Sequence, residues 1–194
     1  MPDIDTARLP AGTTLTERLG IELSKRGIYC LFGEITSDAC ETASSFLLNR
    51  MFAGEKRATI LICSQGGDGD ASRGLVGVME IVKASGFIIK TIGTGQVASA
   101  AFDILIAGTK SERVCTDTTL LMTHSTSGDT RDRGLMDLLE KVDDQILMRY
   151  TTLDRKKINA YAKVGGNLWL SAKEAQDQGV IDRIISVNEV FNVD

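Results

Sequence analysis

The chain has 194 residues, of which 43% are hydrophobic and 25% charged, and its formal net charge at pH 7 is −4. These proportions are ordinary for one compact globular domain. The net acidity, with lysines and arginines scattered along the chain, argues against a nucleic-acid partner. No apolar run approaches the roughly 18 residues that a membrane-spanning helix needs, so we expect no membrane partner either.

The N-terminal stretch 1–26 is polar and mixed, and it predicts a partly ordered arm ahead of the main domain. It lacks the basic segment and apolar core of a signal peptide. No two of the four cysteines form a C-x-x-C pair, so we expect reduced thiols in a cytoplasmic protein and no metal site. These cysteines are Cys30, Cys40, Cys63 and Cys115.

From residue 27 to residue 194 the pattern predicts a single α/β domain built of repeated βαβ units. Short apolar runs bounded by glycines or polar turns indicate buried strands. Segments with apolar residues at helical spacing separate the first three runs. Strands joined by helices form a largely parallel sheet, whose sites lie at the carboxyl ends of the strands. The predicted strands cover 27–33, 58–63, 87–92, 114–115, 120–122 and 180–185.

Residues 133–161 differ from the rest because a narrow apolar stripe runs through an otherwise charged segment. One helix of about 28 residues would span about 40 Å, which exceeds the width of a small domain. A helix that overhangs its domain with a narrow stripe usually pairs with another chain. We therefore predict a long projecting handle helix that mediates oligomerisation, with packing against its own domain as the alternative. The stripe consists of Leu139, Val142, Ile146, Tyr150 and Leu153.

A turn of small residues, 95–101, follows a predicted strand and carries Ser99 onto the start of an apolar helix. Such a turn exposes the hydroxyl and directs unpaired backbone N–H groups toward the atom that the hydroxyl attacks. His124 is the only histidine in the chain. Acyl transfer by Ser99 must therefore use His124 as its base.

A glycine pair, Gly66-Gly67, follows the second predicted strand at the edge where parallel sheets place their sites. Glycines there let a backbone N–H approach a substrate closely, so Gly67 and Ala100 could together form an oxyanion hole. The loop does not match a phosphate cradle, since no G-K-[ST] follows and acidic residues do. Taken singly, each of these features also fits an ordinary loop or close helix–strand packing.

The chain contains, in this order, SQGG at 64–67, GQVASA at 95–100, LMTH at 121–124 and WLSAKEAQDQGVID at 169–182. Together these motifs resemble the proteolytic subunit of the Clp protease family, over about residues 24–186. The resemblance implies a Clp/crotonase fold and a self-compartmentalising serine peptidase. It further implies stacked, usually heptameric, rings fed with polypeptide by an AAA+ unfoldase. The chain itself would need no cofactor, because only that partner uses ATP.

Carried over residue by residue, the resemblance implies that Ser99 is the nucleophile and His124 the general base. Gly67 and Ala100 would donate the N–H groups of the oxyanion hole. The handle at 133–161 would be the element through which two rings meet.

The third member of the triad departs from the family pattern. Asn167 stands where the family has an aspartate. An asparagine carbonyl can accept a hydrogen bond from the Nδ1–H of His124, but it cannot stabilise an imidazolium by charge. An aspartate-to-asparagine change in a serine protease can lower kcat by about 10⁴. We therefore expect a Ser-His-Asn site that is weaker, or active only when the assembly orders it.

Three functions follow from these patterns. The first is an ATP-dependent Clp-type serine endopeptidase that cleaves peptides or unfolded proteins inside a ring chamber. The second is a catalytically weak or regulatory subunit of a Clp-type assembly, which Asn167 favours. The third is a crotonase-type enzyme for an acyl-CoA, which would use two backbone N–H groups without needing Ser99.

Overall fold

Seven strands form one sheet in a computed structural model of the chain, which describes residues 14–124, 133–153, 156, 158 and 166–186. Five of them run parallel in the spatial order β1-β2-β3-β4-β7. β5 lies parallel to the end of β3, and β6 pairs antiparallel with β5. The strands are β1 (Ile28–Ile35), β2 (Arg57–Gly67), β3 (Ile88–Ala98), β4 (Arg113–Thr116), β5 (Leu120–Thr123), β6 (Leu168–Ser171) and β7 (Arg183–Ile185).

Helices alternate with the first strands, so the predicted α/β fold with repeated βαβ units is confirmed. Polar caps mark several helix starts. Thr36 accepts the N–H of Ala39 at the start of α2, and Asp68 accepts two N–H groups at the start of α3. The helices of the described residues are α1 (Leu15–Lys25), α2 (Ser37–Phe52), α3 (Gly69–Ala84), α4 (Ala100–Ile106), α5 (Arg133–Tyr150) and α6 (Ala172–Asp177).

The main core lies between the helices and one face of the sheet. Along β2, Ile60 and Ile62 point into this core, and both are fully buried. Because successive side chains of a strand face opposite sides, Leu61 points to the other face, where a smaller apolar cluster lies. That cluster consists of Leu61, Ile92, Val114 and Ile185.

The strand β3 changes its neighbour half-way along. Its middle residues, from Thr91, pair with β4, whereas its last residues, Gln96–Ala98, pair with β5. The end of β3 therefore lies beside the antiparallel pair of β5 and β6, and the N–H of Ser99 donates to the carbonyl oxygen of Met122 at 2.9 Å. This switch brings the segment after β5 to the segment after β3.

The predicted handle helix is shorter than expected. α5 has 18 residues and ends at Tyr150, and residues 151–153 are not helical, so one helix through residue 161 is wrong. The N–H of Thr152 donates to the carbonyl oxygen of Gln178, and this contact draws the chain away from the helix axis. Residues 154, 155, 157 and 159–165 lie outside the described residues.

The apolar stripe of α5 divides between two roles. Ile146 and Leu153 are buried in the main core, so this end packs against its own domain, which was the alternative expectation. Toward the other end the apolar side chains of Leu135, Leu138 and Val142 are exposed. This exposed part is available to a second chain.

The described part of the predicted N-terminal arm is helical. α1 begins with a capping box between Thr14 and Glu17, and none of its residues is buried. Residues 1–13 of the arm lie outside the described residues. Across the part of the chain that the structure describes, every helix is too short or too polar to cross a membrane.

Candidate active site

Ser99 stands at the junction of β3 and α4 in a conformation that few residues other than glycine adopt. Its backbone has φ 55° and ψ −126°. A serine before a helix usually caps the helix with its own hydroxyl, but the Ser99 side chain makes no capping hydrogen bond. The turn leaves the hydroxyl free for another partner, and such strain is typical of functional sites.

That partner is His124. The Oγ of Ser99 lies 2.8 Å from Nε2 of His124, and both side chains are partly buried. This separation suits proton transfer from a hydroxyl to an imidazole. When Nε2 is the acceptor, the hydroxyl donates and the ring proton sits on Nδ1. The structure thus joins two predicted residues that lie 25 positions apart.

The buried helix α4 holds the Ser99 turn in place. Six of its seven residues are buried. The carbonyl oxygen of Ser99 accepts the N–H groups of Phe102 and Asp103. Ala100, the first residue of the helix, has no preceding turn to supply an acceptor, so its N–H is directed outward with the positive end of the helix dipole.

The glycine pair closes on the serine from β2. A Cβ at Gly66 would lie 2.7 Å from the Cβ of Ser99, so only glycine allows the two segments to approach this closely. A Cβ at Gly67 would collide with the carbonyl oxygen of Ile35. Both glycines have positive φ. The close approach of β2 to the Ser99 turn therefore depends on the absence of side chains.

The neighbouring strand holds the chain directly after Gly67. The N–H of Asp68 donates to Ile35 in β1 at 2.8 Å. The register of β1 and β2 also pairs Ile35 with Gly67, so the glycine pair lies at the end of this strand pair. Gly67 is exposed, so a substrate can reach it.

Asn167 and His124 lie at the same end of the β5–β6 pair. The last pair of this antiparallel register is Thr123 with Leu168; His124 directly follows the first of these residues and Asn167 directly precedes the second. The Asn167 side chain is exposed. The register thus brings the three residues predicted as a triad to one end of the sheet.

Asp68 fixes the segment between the glycine pair and α3. Its carboxylate accepts the N–H groups of Asp70 at 2.9 Å and Ala71 at 3.0 Å, and the Ser37 hydroxyl at 3.3 Å. The hydrogen bond from Ala71 is the main reason that the pKa of Asp68 is lowered. The negative charge of Asp68 also interacts favourably with the positive N-terminal end of the α3 dipole.

Some residues that shape the site were not predicted from the sequence. Ile35 anchors the glycine pair from the neighbouring strand, and the Ser64 hydroxyl accepts the N–H of Gly66 at 3.0 Å. Ile35 precedes the glycines by about thirty positions, and no local pattern connects them. Ser64 belongs to the SQGG motif, two residues before the first glycine, and this position was the available signal.

A family model described as Clp protease matches residues 16–188, which is most of the chain. The chain belongs to the Clp protease family. Members of this family are proteolytic subunits, and membership supports a serine peptidase function. The resemblance drawn from the motifs is thereby confirmed.

Individual relatives agree with this assignment. A chain named ATP-dependent Clp protease proteolytic subunit 3 from Rhizobium johnstonii is 28% identical, over 95% of this chain and 94% of the relative. A subunit 2 of the same protease from Treponema denticola is 30% identical, over 79% of each chain. Among solved structures, an asparagine-to-aspartate mutant of ClpP1 from Listeria monocytogenes is 26% identical with a TM-score of 0.76, covering 88% of this chain and 98% of that one.

Proposed function

We propose that this chain is a serine endopeptidase that cleaves polypeptides, with Ser99 as nucleophile and His124 as general base. The observation that carries the proposal is the 2.8 Å contact between the Ser99 hydroxyl and His124 Nε2, on a serine with positive φ. The only histidine of the chain is in reach of a serine that does not cap its own helix. Family membership supports the same chemistry.

The reaction would proceed by acyl transfer. The Ser99 hydroxyl gives its proton to His124 Nε2 while Oγ bonds to the carbonyl carbon of the scissile peptide. The N–H groups of Gly67 and Ala100 would donate to the resulting oxyanion. Collapse breaks the C–N bond, and His124 returns the proton to the leaving amine. Water, activated by the same imidazole, then releases the acyl group from Ser99.

Asn167 would orient the imidazole through its side-chain carbonyl. It would hold the tautomer with the proton on Nδ1 but add no charge to stabilise the imidazolium. We therefore infer a weaker site than one with aspartate, or one that needs assembly to become active. A weak site would also suit the alternative function, in which this chain is a regulatory subunit that assembles with a more active partner subunit.

The chain would work as a homo-oligomer of stacked rings, served by an AAA+ unfoldase. The apolar side chains that α5 exposes support the contact between rings. The family relatives are named as proteolytic subunits of an ATP-dependent protease, which supports an unfoldase partner. Only that partner would bind and hydrolyse ATP. The acyl transfer at Ser99 needs no cofactor.

A cytoplasmic location is proposed from the thiols. All four cysteines are free. Burial raises the pKa of Cys40 and of Cys115 to about 11, so both stay protonated and unreactive at neutral pH. Reduced, unpaired cysteines suit a reducing compartment.

A fluorophosphonate probe tests the peptidase proposal on the assembled protein. We expect labelling of the wild type, and its loss in Ser99→Ala and in His124→Ala. Ser85→Ala is the matched control, because Ser85 is an exposed serine at the far end of α3. Labelling that persists in Ser99→Ala contradicts the proposal. Acyl-CoA turnover that persists in that variant would favour the crotonase-type alternative.

A further inference from the structure

Two ion pairs connect α5 to α3. Arg73 of α3 binds Asp143 of α5, with 2.8 Å between Nη1 and Oδ1. Two turns further along, Glu80 of α3 binds Arg149 of α5. The second ion pair lies further toward the C-terminus than the first in both helices, so α3 and α5 run side by side in the same direction. The first pair lies near the glycine pair of the active site, and the second lies away from it.

The guanidinium of Arg73 occupies the first turn of α3. Its Nη2 lies 2.5 Å from Asp70, and the group folds back over the Cα of Gly69. Only 17% of the Arg73 side chain is exposed. Burial would lower the pKa of Arg73, but the hydrogen bonds to Asp70 and Asp143 outweigh it and raise the pKa. The side chain is therefore a charged and well-anchored bridge between the two helices.

Hydrogen bonds connect this first turn with Asp68, the residue directly after the candidate oxyanion donor. Asp70 accepts from Arg73 and donates its N–H to the Asp68 carboxylate at 2.9 Å. The N–H of Asp68 is bound to Ile35. Gly67 precedes Asp68 directly, so a shift of Asp68 also moves the peptide of Gly67. We call residues 66–70 the oxyanion loop.

We propose that Arg73 is a positioning residue, which through its ion pair with Asp143 ties the oxyanion loop to α5 and keeps the Gly67 N–H in place for the reaction of Ser99. The catalytic part rests on the proposed peptidase function, but the mechanical part concerns only the geometry of the loop. A displaced N–H donor stabilises the oxyanion poorly and leaves substrate binding largely unchanged. The predicted signature is therefore a lower kcat at similar KM.

The test compares Arg73→Gln and Asp143→Asn with Glu80→Gln, which removes the charge of the other ion pair between the same helices. Two measurements are made on the assembled protein: amide hydrogen exchange of residues 66–72, and kcat and KM on a short fluorogenic peptide. We expect exchange to speed up about tenfold in the first two variants and kcat to fall about tenfold, with KM within about twofold. Arg73→Lys should partly restore both the slow exchange and the kcat of the wild type. Glu80→Gln should resemble the wild type in both measurements.

Two results would overturn the proposal. One is wild-type exchange of residues 66–72 in both Arg73→Gln and Asp143→Asn. The other is an equal increase in exchange and an equal loss of kcat in Glu80→Gln, which would mean that loosening α5 at either ion pair disturbs the oxyanion loop. If the wild type fails to label with a fluorophosphonate, the peptidase function fails, whereas the exchange measurement still decides the role of Arg73.

Discussion

The backbone of Ser99 combines φ 55° with ψ −126°, and an L-residue adopts this conformation at a cost of about 1–3 kcal/mol. The surrounding contacts offset that cost. The buried α4 follows the residue, and the N–H of Ser99 is bound to Met122. In this conformation the Ser99 Oγ lies 2.8 Å from Nε2 of His124 and does not cap its own helix.

This strain predicts a difference between two variants that both lack the hydroxyl. Glycine tolerates a positive φ, so Ser99→Gly should have a free energy of unfolding about 1 kcal/mol higher than Ser99→Ala. Urea denaturation of the two variants measures the difference. Both should be inactive. Equal stability of the two proteins would show that the Ser99 backbone is not strained.

The aspartate variant tests the role of Asn167. Asn167→Asp places a carboxylate at the same end of the β5–β6 pair as His124 and would stabilise the imidazolium that forms during acylation. We expect kcat on a peptide substrate to rise about tenfold or more. Asn49→Asp is the matched control, because it adds the same charge at an exposed position on α2. A large loss of activity in Asn167→Asp would refute the proposed Ser-His-Asn arrangement.

At the scale of elements, long-range polar contacts hold β4, α5 and β7 together. Arg113 is buried, and its guanidinium binds Asp182 through Nε at 2.9 Å and Nη2 at 2.6 Å. Its third nitrogen donates to the carbonyl oxygen of Tyr150, the last residue of α5. The end of α5 is therefore anchored to the sheet by a charged group of the core.

The Asp182 carboxylate makes the stability of the fold depend on pH. Burial alone would raise the pKa of Asp182, but the hydrogen bonds from Arg113 outweigh it and lower the pKa. A carboxyl with a lowered pKa in the folded state stabilises the fold above its unfolded pKa, which is about 4. That stabilisation is lost as the pH falls through the folded pKa.

Urea denaturation of the wild type and Asp182→Asn between about pH 6 and pH 3 measures this dependence. At pH 6 the variant should be less stable by about 3 kcal/mol, because the Arg113 charge is left buried without its partner. The difference should shrink as the pH falls below about 4. If the difference in the free energy of unfolding between the two proteins does not change with pH, the charge of the Asp182 carboxylate does not stabilise the fold.

At the scale of the whole molecule, the exposed apolar side chains of α5 are the part of the predicted handle that its own domain leaves uncovered. Leu138 is 59% exposed, whereas Ile146 further along is buried. Glutamate at position 138 would introduce a charge into any apolar contact with a second copy. We expect Leu138→Glu to shift the assembly to smaller species, as measured by native mass spectrometry. Ile81→Glu on α3 is the control, and an unchanged mass in Leu138→Glu would rule out this contact.

The fold class could be predicted from the sequence because strand and helix periodicities are local properties. The same holds for Ser99, His124 and the glycine pair, which occur in short motifs. The end of α5 could not be predicted, because the apolar spacing continues past Tyr150. The helix stops there through the contact of Thr152 with Gln178, which lies 26 residues away. The helical nature of α1 was also missed, because Leu15, Leu19 and Leu23 recur at helical spacing only over a short and otherwise mostly polar segment.

The sequence by itself determined the order of the elements and the identity of the reacting groups, since a single histidine leaves a single possible base. Tertiary structure alone decided that the Ser99 backbone is strained, that its hydroxyl reaches His124, and that Arg73 meets Asp143 across 70 positions. The physical reason is that local patterns depend on neighbours along the chain. These contacts depend instead on how the buried elements pack in space.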